Sequence, residues 1–159
     1  MVNSLIENYT NSENLDSDNK NNTEKKMPQN LEAEQSLLGS ILFDNKILED
    51  LPTNFESQYF FDPLHASIYK ACISLSDAGR LADPLTLKNY LNDTYLSNDI
   101  DIEKYLLDLR EGVLSLRKAK FYAEEIKNCY IRRSLIRIAD ELIYKSINPK
   151  IEVNPDEEI

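Results

Sequence analysis

From Val113 to Asn148 the chain runs without a glycine or a proline, and no other feature restricts its fold as much. Those two residues are what turn or end a helix, and a stretch that lacks both has no internal stop signal. A helix of about 30 residues reaches roughly 45 Å, longer than a small domain is wide. Part of it must therefore stand clear of any core this chain can build. Two apolar ladders run along the stretch: Ala119, Ala123, Ile126 and Tyr130, then Ile131, Leu135, Ile138 and Leu142. Each keeps a 4-3-4 spacing, and the phase slips by one residue between them. Either the stripe rotates around one long helix or the helix bends at the slip. Ser115 is the predicted cap.

The remaining sequence reads as helices too. The 159 residues contain only 3 glycines, and no alternating run of Val, Ile and Thr marks a sheet. Asn30 precedes Leu31, Leu38, Ile41 and Leu42 at helical spacing, with Glu32 and Glu34 placed against the positive helix end and Gly39 allowing a neighbour to approach. A short element covers Lys46 to Leu51 and stops at Pro52. Asp62-Pro63 and Asp83-Pro84 each combine a capping carboxylate with proline at the first helical position. Gly79 ends the first of these helices. Asp101 caps another, with Ile102, Tyr105, Leu106 and Leu109 inward and Gly112 closing it. The expected fold is all-α: a small multi-helix head over residues 27–112, then a long helix over 113–148. Residues 1–26, rich in Asn, Ser and charge, form an expected disordered tail.

Charge narrows the function. The net charge is −10, which opposes free-standing nucleic-acid binding. It is unevenly spread: residues 27–116 hold fifteen acidic against six basic side chains, and residues 117–147 hold eight basic against four acidic. A basic helix is attached to an acidic head. Catalytic chemistry lacks its parts. Gly39, Gly79 and Gly112 are the only glycines, so no glycine-rich phosphate loop can form. His65 is the single histidine and is expected to pack or to sit at the surface. Glu32 and Glu34 lie two apart on a helix and point apart, so helix-end electrostatics explains them better than paired acid–base work. Cys72 and Cys129 fit no metal or redox spacing and read as buried free thiols. Arg132, Arg133 and Arg137 are either a solvated helix face or a patch that faces a partner or DNA. No apolar run approaches a membrane span, and a cytoplasmic location follows from the reduced thiols.

Ordered sequence blocks carry a resemblance. The segment from Leu31 to Asn45, LEAEQSLLGSILFDN, resembles the first helix of DnaB-type replicative helicases, which open on an E-A-E-Q pattern after a proline. Phe60-Phe61-Asp62-Pro63-Leu64-His65, Ile68-Tyr69 and Asp83-Pro84-Leu85-Thr86-Leu87 are similar to that family's next signals. Tyr105 to Leu109, Tyr122 to Ile126 and Arg132 to Ile136 continue in order. The chain departs from the family's pattern at Asn98-Asp99-Ile100-Asp101 and at Val113-Leu114-Ser115-Leu116.

The resemblance implies a helical head followed by a two-helix hairpin, whose pairing builds a dimer and then a hexameric collar where primase docks. The long helix would be the first hairpin arm. Residues 149–159 would be the turn and the start of a truncated second arm. ATP and Mg²⁺ would belong to a carboxy-terminal domain of an ATP-dependent 5′–3′ helicase that this sequence does not include, leaving this chain with no catalytic residue, cofactor or metal of its own. Implied partners are a second copy, a full-length helicase and primase, with DNA bound only weakly or indirectly. The expected partner interface is Ile126, Tyr130, Leu135, Ile138 and Leu142. Two other readings are a regulator that mimics the collar and a DNA-binding regulator that uses the basic helix.

Overall fold

A computed structural model describes residues 26–95, 101–113 and 115–148 of the chain. The expected tail (apart from Lys26), the turn before Asp101 and the segment after Asn148 lie outside the described residues. Among those described, the regular elements are all helical: α1 Leu31–Phe43, α2 Ile47–Asp50, α3 Pro63–Asp77, α4 Pro84–Tyr95, α5 Ile102–Glu111 and α6 Ala119–Ile147, with 3-10 turns at Ser57–Tyr59 and Leu116–Lys118.

The caps are the ones the sequence spells out. Asn30 Oδ1 accepts from the Ala33 N–H at 3.0 Å, Asp62 Oδ1 from Leu64 at 2.7 Å and Asp101 Oδ1 from Lys104 at 3.1 Å. At α4 the exchange is reciprocal: the Thr86 N–H donates to Asp83 Oδ1 and the Asp83 N–H to Thr86 Oγ1. Gly79, at φ 68°, is the left-handed residue that ends α3, and the Arg80 N–H reaches back to the Leu75 carbonyl at 2.8 Å. Ser115 makes no side-chain capping bond; the chain enters α6 through the 3-10 turn instead.

Helix α1 is the axis of the molecule. Leu37, Leu38 and Ile41 are fully buried, and each such side chain contributes about 1.5–3 kcal/mol. Helices α3, α5 and α6 all pack against α1. Gly39 sets how close α5 comes: a Cβ there would sit 2.2 Å from the Leu109 carbonyl oxygen.

The line drawn at residue 112 between head and long helix does not divide the packing. Ala119, Ala123 and Ile126 of α6 are buried in the same core as α1. Helix α6 runs unbroken for 29 residues, about 43 Å. The phase slip is therefore a rotating stripe and not a break, because a one-residue slip turns an apolar ladder by about 100°. The first ladder faces α1 and the second faces away.

Candidate interaction surface

The head is held by a buried polar chain. Glu34 and His65 are 2% and 1% exposed. Glu34 falls on the same helical stripe as Leu38 and Ile41, and His65 on that of Ile68, Tyr69 and Cys72, so both side chains are carried into the core. His65 Nδ1 lies 2.7 Å from Glu34 Oε2, and His65 Nε2 lies 2.6 Å from the Tyr105 hydroxyl. The Phe61 N–H donates to Glu34 Oε1 at 2.6 Å and the Asp62 N–H to Oε2 at 3.3 Å. Burial raises the Tyr105 phenol above its ordinary value of 10.0. With its hydrogen on Nδ1, the ring would donate to the Glu34 carboxylate and accept from the Tyr105 hydroxyl at Nε2, which satisfies each of these groups. One carboxylate thus ties α1 to the chain entering α3, and one imidazole ties α3 to α5.

Sequence reasoning placed Glu34 as a helix-end charge and His65 as a packing or surface residue. The structure makes them a single clasp. The signal was there: two polar side chains on two apolar stripes need partners, and they have each other.

Arg133 marks the edge of the head. Its guanidinium donates to the Pro28 carbonyl at 2.8 Å and to the Tyr59 carbonyl at 2.7 Å. It also lies over the Phe61 and Tyr130 rings, 5.4 and 5.9 Å from their centroids. Its hydrogen bonding is thus turned inward, and it is not a free member of a basic contact patch; Arg132 and Arg137 remain exposed. The expected partner interface divides in the same way. Ile126 is buried in the head core, and Tyr130 stacks obliquely on Tyr59 with 4.8 Å between centroids. Leu135, Ile138 and Leu142, by contrast, are 60%, 51% and 44% exposed. Of the five expected interface residues, these three stand in the open, with Ile131 beside them.

Among the described residues no group of three or more His, Cys, Asp and Glu side chains could hold a metal ion, and no helix is long and apolar enough to cross a membrane. What the geometry presents is a clasped helical head with one helix carried past it. The comparisons agree. The family model described as DnaB-like helicase N-terminal domain matches residues 26–128, and the chain belongs to that family. The Replicative DNA helicase DnaB of Rickettsia conorii is 32% identical over 161 residues, covering 100% of this chain and 32% of the relative. The Replicative DNA helicase DnaC of Bacillus subtilis is 30% identical over 126 residues, covering 79% of this chain and 28% of the relative. The crystal structure of the N-terminal domain of DnaB helicase from Mycobacterium tuberculosis superposes with a TM-score of 0.66 at 28% identity, covering 77% of this chain and 87% of that one. The chain therefore spans about a third of the length of its curated relatives.

Proposed function

We propose that this chain serves chromosome replication as an association module, joining copies of itself or of a full-length helicase and offering a docking surface to primase. The observation that carries the reading is the exposed stripe Leu135, Ile138 and Leu142 on α6, turned away from the head that buries the first half of the same helix. So much apolar side chain standing in water on one helix face marks a surface that a partner covers. In this reading ATP and Mg²⁺ act in a separate domain, and the head and stripe bind and position. The acidic head opposes direct contact with duplex DNA, and the chain works in the cytoplasm.

Sedimentation of the full chain over a concentration series tests this. The wild type is expected to form oligomers as concentration rises. Leu135→Asp or Ile138→Asp is expected to return it to monomer with unchanged helical circular dichroism. A wild type that stays monomeric at the highest concentration, or a stripe variant that associates as wild type does, would overturn the reading.

A further inference from the structure

Among the described residues of the head, the three most exposed large apolar side chains are Leu81, Leu85 and Phe43, the first two at 72% and 69%. With Leu107 they line one groove of about 500 Å³ at the carboxy-terminal end of α1. Its walls are braced. The Asn45 side chain holds the loop before α4 in both directions, its Nδ2 donating to the Ala82 carbonyl at 2.9 Å and its Oδ1 accepting from the Ala82 N–H at 2.7 Å. The reciprocal Asp83–Thr86 cap fixes the next turn. A surface already in its bound shape loses little entropy on docking. The carboxylates at the rim are engaged: Asp44 Oδ1 accepts from the Lys46 N–H at 3.0 Å, Asp83 Oδ1 from the Thr86 N–H, and Glu103 pairs with Lys88. What the groove offers is apolar contact and not charge.

The amino-terminal segment of this chain has the matching pattern. Met1, Val2, Leu5, Ile6 and Tyr9 are the apolar residues among its first nine. At about 100° per residue they fall within an arc of about 140°, and Asn3, Ser4, Glu7 and Asn8 take the other side. From Thr10 to Lys25 sixteen residues follow, with Leu15 as the sole large apolar side chain. Reach agrees with pattern. The described chain begins at Lys26, just before Pro28, which Arg133 holds at the amino-terminal end of α1. The groove lies at the other end, and the 13 residues of α1 between them span about 20 Å. A sixteen-residue polar stretch has a root-mean-square span of about 20–24 Å. A tether of matched length gives an effective concentration on the order of millimolar, so a contact too weak to hold two separate molecules is occupied within one.

We infer that residues 1–9 dock as a short amphipathic helix in the groove of their own chain, with Leu5 and Ile6 at the centre of the contact. A groove takes an amphipathic helix along both flanks, which the convex α6 stripe, one helix wide, does not. The head then carries its own cover at this groove, apart from the α6 stripe. A partner that uses the groove has to displace the segment first.

Photo-crosslinking of the full chain tests it. Benzoylphenylalanine in place of Tyr9, in a dilute equal mixture of isotopically light and heavy protein, is expected to form adducts with residues 81–85 or 107 of the same chain. Two variants should each cut their yield about tenfold or more, as removing a buried leucine contact would warrant. One is Leu81→Asp with Leu85→Asp, which alters only exposed groove side chains; the other is Leu5→Asp with Ile6→Asp, which leaves the head untouched. Amide exchange over residues 5–9 is expected to be slower in the wild type than in the groove variant. Adducts confined to the α6 stripe, or no adducts with the head, would overturn the inference. Adducts joining light to heavy chains would overturn it too, because the groove would then hold a second copy. Equal exchange in wild type and groove variant would also sink it.

Discussion

The two halves of α6 have similar amino-acid content and opposite fates. From Ala119 to Arg133 the helix is part of the head, with Ala123 and Ile126 sealed in the core and Arg133 bonded to two carbonyls. From Ser134 to Ile147 the same unbroken helix carries Leu135, Ile138, Leu142 and Ile147 in the open. Both halves repeat an apolar residue every three or four positions, so amphipathic spacing does not separate them. What separates them is the one-residue slip at Tyr130–Ile131, which turns the second ladder away from the core built on α1.

The sharpest break of this comparison places the same charge in each half. Ile126→Asp would bury an unpaired carboxylate and is expected to cost more than about 4 kcal/mol, enough to unfold the head. Ile138→Asp is expected to change stability by less than about 0.5 kcal/mol while abolishing association. Chemical denaturation of both variants checks the pair; equal costs would mean that the outer half is folded against something the head itself supplies.

The clasp provides a second contrast, between twin acids two residues apart. In Glu34→Gln an amide nitrogen would face N–H donors that a carboxylate oxygen now accepts, and a loss of about 3 kcal/mol is expected in the denaturation midpoint. Glu32→Gln, at an exposed site, is expected to stay within about 0.5 kcal/mol of wild type. Equal small losses at both positions would return Glu34 to a helix-end role.

Arg133→Ala tests the boundary. Its two hydrogen bonds to carbonyls and its ring contacts are expected to contribute about 2 kcal/mol, and losing them should loosen the segment at Pro28 that leads into α1 without altering association. Arg132→Ala, one residue away and exposed, is expected to leave stability unchanged.

The smallest effect is chemical. Burial pushes the Cys72 thiol from 9.0 up to about 12, whereas Cys129 on α6 is half-buried. Alkylation of the native protein near pH 8 is expected to label Cys129 and spare Cys72 until the head unfolds. The sign of the pH effect follows. Between about pH 9 and 12 the unfolded chain has lost the Cys72 proton that the folded chain retains, so the head loses stability as pH rises through that window.

Local chemistry was legible in the sequence and distant pairing was not. Asn30, Asp62, Asp83 and Asp101 bond within their own turns, and Gly79 answers to its own φ, so a few neighbouring residues suffice to place each. Glu34, His65 and Tyr105 come from three helices, 31 and 40 residues apart along the chain, and nothing in any one helix says which stripe will meet which. The slip in α6 was visible as a pattern, but its consequence needed the position of α1. Ile126 and Tyr130 therefore passed for partner residues when they belong to the head.

Amide hydrogen exchange along α6, measured at low and high protein concentration, tests the central division most directly. Residues 123–133 are expected to exchange at the rate set by unfolding of the head at both concentrations, and residues 135–147 to exchange fast when dilute and slow when concentrated. Slow exchange over 135–147 in the most dilute sample would contradict it, because the stripe would then be covered within a single chain.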